Sequence, residues 1–297
     1  MRSLLFIPAD DERKLAKGPG TGADALILDL EDAVSEARKP AARGLACDFI
    51  KWLRPQAGRP MIYVRINAVD TVHWQNDLAG VMSARPDGIL LPKARSGEDV
   101  HKLSIVLHQA EERTGAEKGE TRIIVLMSEV PESLLALPTY IGSSTRLEGL
   151  SWGAEDLSAA LGARSNREAD GRAWRSVYRM ARDLCLVTAA AADAQPIDTV
   201  FVNFRDTEGL ALEAREAAED GFTAKMAIHP NQVAAINRAF TPSPAEVSLA
   251  ERTIAAFAAN PGAGALALDG QMIDKAHVRR AERILARAKA ATRGRGG

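Results

Sequence analysis

Charged residues follow apolar runs at several points along this chain. Leu26-Ile27-Leu28-Asp29-Leu30 leads into Glu31-Asp32, and Ile62-Tyr63-Val64 leads into Arg65-Ile66-Asn67. One run ends on Lys93, and Ile123–Met127 leads into Ser128-Glu129. Leu150-Ser151-Trp152 leads into Gly153-Ala154-Glu155-Asp156, and a last run ends at His229-Pro230. If these runs are the strands of one sheet, four acids and two bases share its rim. Unpaired charges converging there repel one another or are desolvated at a cost of several kcal/mol. A divalent cation relieves that: Mg²⁺ takes one or two carboxylates and fills its remaining positions with water and substrate oxygens. Glu129 and Asp156, which follow consecutive runs, are the natural pair.

Each candidate also has an ordinary structural role open to it. Glu129 and Asp156 can be surface or helix-capping carboxylates, with Asp156 capping the helix that follows. Arg65 can pair with Glu31 or Asp32. Asp29, set between leucines, suits ordering the rim better than reacting. Lys93 can hold the rim by ion pairing or touch a ligand, and His229, before a proline, can be a backbone-bonded histidine. His73, His101, His108 and His277 show no ligand spacing, and Cys47 and Cys185 read as core.

The elements that must position these residues are legible as alternating patterns. Candidate strands are Leu4–Pro8, Ala25–Leu30, Met61–Asn67, Gly88–Lys93, Arg122–Met127, Leu147–Gly153, Thr199–Phe204 and Lys225–His229. Several are near-continuous Val, Ile, Leu or Met, as strands covered on both faces should be. Amphipathic stretches lie between them, among them Glu36–Leu53, Val100–Arg113, Arg172–Ala192 and Thr207–Asp220, the last stopped by Gly221. Eight such units fill residues 4–240, at about 30 residues each, and eight is the number that closes a (β/α)₈ ring, the TIM barrel. An open doubly wound sheet is the competing arrangement, but no G-x-G-x-x-G follows the first strand. The expected division is a TIM barrel over residues 1–240 and a C-terminal helical appendage over 241–297. In the appendage, helices at Ala245–Ala259 and Lys275–Ala291 flank an apolar piece, Ala265–Leu268, and a turn at Asp269-Gly270. The tail, Arg293 to Gly297, reads as disordered.

Composition narrows the class. The chain has 297 residues, 46% of them hydrophobic, and 38 Lys and Arg against 39 Asp and Glu. That balance argues against nucleic acid held by bulk charge. Two cysteines make no disulfide framework and no Cys-based zinc site. No apolar run is long enough to span a membrane, and the first run, broken at Pro8, is too short for a signal peptide, so the cytoplasm is the expected compartment.

With these residues in place the sequence resembles the HpcH/HpaI aldolase and citrate lyase β-subunit superfamily, in particular its members that act on acyl-CoA. The resemblance runs nearly end to end. It is carried by Leu28-Asp-Leu-Glu-Asp-Ala-Val34, Val64-Arg-Ile-Asn67, Leu91-Pro-Lys93, Gly153-Ala-Glu-Asp-Leu157, Lys225-Met-Ala-Ile-His-Pro230 and Gly270-Gln-Met-Ile-Asp274. No one segment decides it; six in order do. Two places depart from the family pattern. Pro8-Ala9-Asp10 stands where Pro-Gly-Asp or Pro-Gly-Asn is common, and Val-Pro-Glu-Ser follows Glu129 where many members have Thr-Ala-x-Gly.

The resemblance implies a TIM barrel, a Mg²⁺ ion, a trimeric or hexameric assembly, and carbon–carbon cleavage of 3-hydroxyacyl-CoA thioesters such as malyl-CoA or citramalyl-CoA, or the reverse condensation. It implies metal ligation by Glu129 and Asp156, and substrate binding and charge stabilisation by Arg65. Glu31 and Asp32 would line the thioester site, with His229-Pro230 at its edge. Asp274 would be the catalytic base, lent by a neighbouring subunit on which the C-terminal extension packs. Arg13 and Lys17, one helical turn apart after the first strand, could meet the CoA phosphates or simply form a solvated face. Other readings are a citrate lyase β subunit acting on a carrier-bound citryl group, a malyl-CoA thioesterase, a CoA-independent pyruvate aldolase, which would need neither Asp274 nor the appendage, and a non-catalytic scaffold.

Overall fold

The computed structural model describes residues 1–293; residues 294–297, most of the expected tail, lie outside them. Strands β1 (Ser3–Pro8), β2 (Ala25–Asp29), β3 (Met61–Arg65), β4 (Gly88–Leu91), β5 (Arg122–Met127), β6 (Leu147–Trp152), β7 (Gln195–Asp198) and β8 (Ala224–Ala227) pair in parallel in chain order, and β8 closes on β1. The helices between and after them are α1 (Glu12–Lys17), α2 (Lys39–Leu53), α3 (Trp74–Val81), α4 (Gly97–Thr114), α5 (Pro131–Leu135), α6 (Ala154–Ala160), α7 (Ser176–Ala191), α8 (Thr207–Asp220) and α9 (Pro230–Ala239). This is the closed α/β barrel that the eightfold repetition predicts. No helix among the described residues is long and apolar enough to cross a membrane.

The barrel interior is filled by side chains from alternating strand positions, including Leu4, Ile27, Tyr63, Leu90, Ile124, Leu126, Ile197 and Met226. A Cβ at Gly88 would meet the Tyr63 ring at 2.4 Å and the Arg122 carbonyl at 2.8 Å, so only glycine lets that ring lie in the core. Register then fixes the rim. Asp29 stands opposite Arg65 on the neighbouring strand, and both are the last residues of their strands.

One expected strand is displaced. The seventh is Gln195–Asp198, and the apolar stretch Thr199–Phe204 that was expected to form it runs instead as irregular chain above the sheet. Pattern misleads here because Asp198 looks like a turn residue. It is 1% exposed, and Lys225 on β8, fully buried, donates to its Oδ2 at 2.6 Å while the Trp152 indole donates to its Oδ1 at 2.9 Å. Glu213 Oε1 also accepts from Lys225, at 2.9 Å. The helix expected from Arg172 starts at Ser176, since residues just before it form a short hairpin bridging Arg167 and Trp174, turned at Asp170-Gly171.

The chain divides into two compact units, Met1–Asn237 and a second from Arg238 onward. In the second, α10 (Pro244–Ala258) begins with a reciprocal capping box between Ser243 and Glu246. A two-stranded hairpin follows, β9 (Ala265–Leu268) with β10 (Gln271–Asp274). Its two turn residues, Asp269 and Gly270, both have positive φ, as such tight turns require. Helix α11 (Lys275–Arg293) packs Ala281, Ile284 and Leu285 against Ala250 and Ile254 of α10.

The buried Lys225–Asp198 pair makes a stability prediction. Asp198→Ala leaves the ammonium one carboxylate short and the Trp152 indole without its acceptor. The expected loss is about 3–5 kcal/mol of unfolding free energy by urea titration. Asp220→Ala, which removes a half-exposed partner of Arg182, should cost no more than about 1 kcal/mol.

Candidate active site

The strand ends at one face of the barrel enclose a cavity of about 430 Å³. Asp29, Asp32, Arg65, Glu129, Glu155 and Asp156 supply its charged lining. Phe6, Leu126, Trp152, Val200, Met226 and Ile228 supply apolar walls. Polar groups converging in an apolar concavity at the carboxyl ends of barrel strands are the usual mark of an active site in this architecture.

Asp29 organises the rim. Its Oδ1 accepts from Glu31 N at 2.9 Å and its Oδ2 from Ala33 N at 3.3 Å, which shapes the turn after β2. The same carboxylate takes a two-pronged hydrogen bond from Arg65, Nε at 2.7 Å and Nη2 at 2.6 Å. Arg65 Nη1 lies 2.8 Å from Glu31 Oε2, an ion pair off the hydrogen-bond axis, so that buried oxygen has no directed donor. The guanidinium stacks over Phe6 with its carbon 5.0 Å from the ring centre. Asp29 therefore orders the rim, and the structural partners of Arg65 are Asp29 and Glu31 rather than Asp32.

Lys93 touches four more acids of the rim. Its ammonium pairs with Glu31, with Asp32 Oδ2 at 2.9 Å and with Asp156 Oδ1 at 3.3 Å, while its backbone N–H donates to Glu129 Oε2 at 2.7 Å. To do so it adopts φ +49°, and Ser128, just before Glu129, adopts φ +64°. Two non-glycine residues in the left-handed region beside one cavity mark a place where the surroundings hold the backbone against its preference.

Glu129 is 4% exposed. Burial, reinforced by the negative charges of Asp156 and Glu31, pushes its carboxyl up to about 8. It caps no helix, since α5 begins after Val130. Gly153 makes room for it: a Cβ there would lie 2.4 Å from Glu129 Cγ. Asp156 sits in the first turn of α6, whose N-cap is Gly153, so it does not cap that helix as it might have been expected to. Burial also raises Glu31, outweighing Arg65 and Lys93. Asp32 is pulled low, because the hydrogen bond and charge of Lys93 overcome its partial burial.

The other sequence candidates lie as follows. Arg13 and Lys17 are exposed on α1. His229 accepts from Asn231 N through Nδ1 at 3.2 Å and stacks on Phe204, centres 5.0 Å apart, and Pro230 opens α9. Asp274 belongs to the second unit, at the end of β10, where its Oδ1 accepts from Ala276 N and lies 2.8 Å from His277 Nδ1. These bonds hold its carboxyl below the usual range. The replaced glycine in the first loop proves dispensable, since Ala9 does not adopt positive φ and donates its N–H to Asp29 O at 3.0 Å.

Sequence reasoning missed Lys39, which is 4% exposed and ties Leu30 O, Glu31 O and Asn67 Oδ1 together beneath the rim. A lysine before a proline at a helix start carries no signal of that burial. It also missed the cavity walls Phe6 and Trp152, whose strand positions could have flagged them.

The model of the HpcH/HpaI aldolase/citrate lyase family matches residues 2–230. The chain belongs to that family. It is 34% identical over 291 residues to a (3S)-malyl-CoA thioesterase of Cereibacter sphaeroides, covering 97% of this chain and 95% of that one. It is 34% identical to the mitochondrial citramalyl-CoA lyase of Rattus norvegicus, covering 96% and 85%. Among solved structures, the CitE protein of Mycobacterium tuberculosis in complex with magnesium, acetoacetate and coenzyme A superposes with a TM-score of 0.76 at 35% identity, covering 97% of this chain and 98% of that one.

The donor set fits a hard dication. Among the described residues no group of three or more His, Cys, Asp or Glu is placed to hold a metal ion by itself. Glu129 and Asp156 line one cavity and repel each other. Two carboxylate ligands with open positions for water and substrate is the pattern of a Mg²⁺ site that works on its substrate.

The state of Glu129 makes a pH prediction. Its folded form holds a proton more tightly than the unfolded chain, whose ordinary value is 4.5. Its contribution to stability is therefore complete below about 4.5 and is lost as pH rises through about 8. Melting temperatures of chelator-treated protein should fall over that window more steeply than those of Glu129→Gln. Parallel curves would show that Glu129 does not titrate there. Gly153→Ala should displace the Glu129 side chain and weaken divalent-ion binding by calorimetry while leaving the circular dichroism of the barrel unchanged.

Proposed function

We propose that this protein is a Mg²⁺-dependent carbon–carbon lyase, or the corresponding Claisen-type condensing enzyme, acting on 3-hydroxyacyl-CoA thioesters of the malyl-CoA or citramalyl-CoA kind. The observation that carries it is the pairing of Glu129 with Asp156 from consecutive strands in one cavity beside Arg65. The relatives support the substrate class: one is a citramalyl-CoA lyase, one a malyl-CoA thioesterase, and one holds magnesium and coenzyme A together.

Glu129 and Asp156 would hold the ion, which when bound supplies Lewis acidity to the substrate's carboxylate and hydroxyl oxygens. The chain's own residues do the rest. As the hydroxyl proton passes to solvent water, the bond between the hydroxyl-bearing carbon and the carbon next to the thioester breaks. Its electron pair passes to the thioester, giving an acyl-CoA enolate and a 2-oxo acid. Arg65, preset by Asp29, stabilises oxygen charge that develops in that step. Asp274, contributed by a neighbouring subunit of a trimer or hexamer, moves the proton to and from the acyl carbon. Glu31 and Asp32 line the thioester side, His229 and Pro230 help to bind the substrate, and Arg13 and Lys17 offer cations to the CoA phosphates.

Hydrolysis of the same thioester is the second reading, favoured by the equal similarity to the thioesterase. One assay separates the two. Purified protein with Mg²⁺ and malyl-CoA or citramalyl-CoA should release acetyl-CoA together with the 2-oxo acid; release of free CoA without it would establish the thioesterase. Glu129→Ala and Asp156→Ala should abolish turnover with the fold intact, as should a strong chelator, and full activity in the chelator would defeat the scheme. Arg65→Gln should lower kcat by about 10²–10³-fold. Mixed oligomers refolded from Glu129→Ala and Asp274→Asn chains should regain activity that neither has alone; no recovery would place the base elsewhere.

A further inference from the structure

Asp156 and Glu129 are not held alike. Glu129 is fixed by two backbone features, the Lys93 N–H and the gap at Gly153. Among the described residues the one ion pair of Asp156 is with the Lys93 ammonium, at 3.3 Å. Arg65 is committed elsewhere, gripped by Asp29 and facing Glu31. Around these two cations the rim therefore gathers five carboxylates, Asp29, Glu31, Asp32, Glu129 and Asp156, with Glu155 beyond them, and of the two cations the lysine alone pairs with Asp156.

We propose that Lys93 is a built-in counter-cation that competes with the divalent ion for Asp156 and sets how tightly the ion is held. The proposal rests on the metal reading of Glu129 and Asp156 given above. An ammonium paired at 3.3 Å with a carboxylate oxygen stands close to where a dication on that oxygen would sit. Two such cations within a few ångströms of each other also repel strongly in a partly buried site. Lys93 has somewhere to go: Glu31 and Asp32 already hold its ammonium, so it can leave Asp156 without becoming unpaired. Its stem is long and flexible, whereas its backbone, which serves Glu129, need not move. In the metal-free chain the lysine lowers the repulsion among the acids. In the loaded chain it withdraws to the thioester side of the rim. Removing its charge should therefore weaken the empty protein and strengthen the grip on the ion.

Lys93→Met keeps the length of the side chain and the backbone donor to Glu129 and removes only the charge. Lys93→Arg keeps the charge. The test is calorimetric titration of chelator-treated wild type and both variants with Mg²⁺ and Mn²⁺, together with melting temperatures with and without the ion. Lys93→Met should bind at least about tenfold more tightly than wild type. It should melt lower than wild type without the ion and show the larger rise on adding it. Lys93→Arg should stay within a few-fold of wild type in affinity. Equal or weaker binding by Lys93→Met, with wild type binding normally, overturns the role of Lys93 and leaves the metal site standing. Failure of wild type to bind either ion overturns the metal reading and this proposal with it. If Lys93→Met does not fold alone, Mg²⁺ must restore its fold; a chain that stays unfolded with the ion present also overturns the proposal.

Discussion

Like charge concentrated on a closed ring of strands is the constraint from which the rest of this structure follows. A barrel brings its strand ends together whatever residues they carry, and here acids stand on and just after β2, just after β5 and in the first turn of α6. The chain meets that repulsion in three different ways. Asp29 and Arg65, opposed in register, neutralise each other in a two-pronged bond. Lys93 spreads one positive charge over Glu31, Asp32 and Asp156. Glu129, which makes no ion pair among the described residues, is driven towards its neutral form by burial and by Asp156 and Glu31. A residue in that condition is suited to a ligand that brings two positive charges.

The backbone has been bent to serve this arrangement. Lys93 and Ser128 both adopt positive φ, a conformation that costs a non-glycine residue of order 1 kcal/mol or more. The gain at Lys93 is an N–H aimed at a buried carboxylate, a charge-assisted bond stronger than an ordinary one. Gly153 contributes by absence, since any side chain would displace Glu129. Deeper in, Lys39 holds the carbonyls of Leu30 and Glu31, so the turn carrying two rim acids is tied to β3 through Asn67. Position at the rim is therefore set by backbone groups as much as by side-chain pairing.

Much of this was legible in the sequence, for a definite reason. Strands covered on both faces read as unbroken apolar runs, so the charged residue that ends each run is conspicuous, and Glu31, Arg65, Lys93, Glu129 and Asp156 could be named from the pattern. The seventh strand was not legible because its polarity is inverted. Asp198 is buried by its pairing with Lys225, while the apolar Val202 and Phe204 beyond it are exposed. Single-residue patterns cannot show that a charge is buried when its partner lies on another strand. For the same reason Lys39 went unnoticed. The specific partners of Arg65 were open in the sequence because register decides them, and the sequence does not carry register explicitly.

The same constraint bears on how one site could cleave carbon–carbon bonds in one protein and hydrolyse a thioester in a relative. Both reactions need the acyl group held and its oxygen charge stabilised. They differ in whether water reaches the thioester carbon before the proton returns to the acyl carbon. Here the charged residues share the cavity with Phe6, Leu126, Trp152, Val200, Met226 and Ile228. An apolar lining strengthens electrostatic interactions beside it, and how far it excludes water is what would separate the two reactions. Trp152 is the most firmly set part of the wall, since its indole is bonded to Asp198 and that carboxylate is locked by Lys225. The buried pair that conceals the seventh strand in the sequence thus also fixes one apolar wall of the cavity that holds the acids.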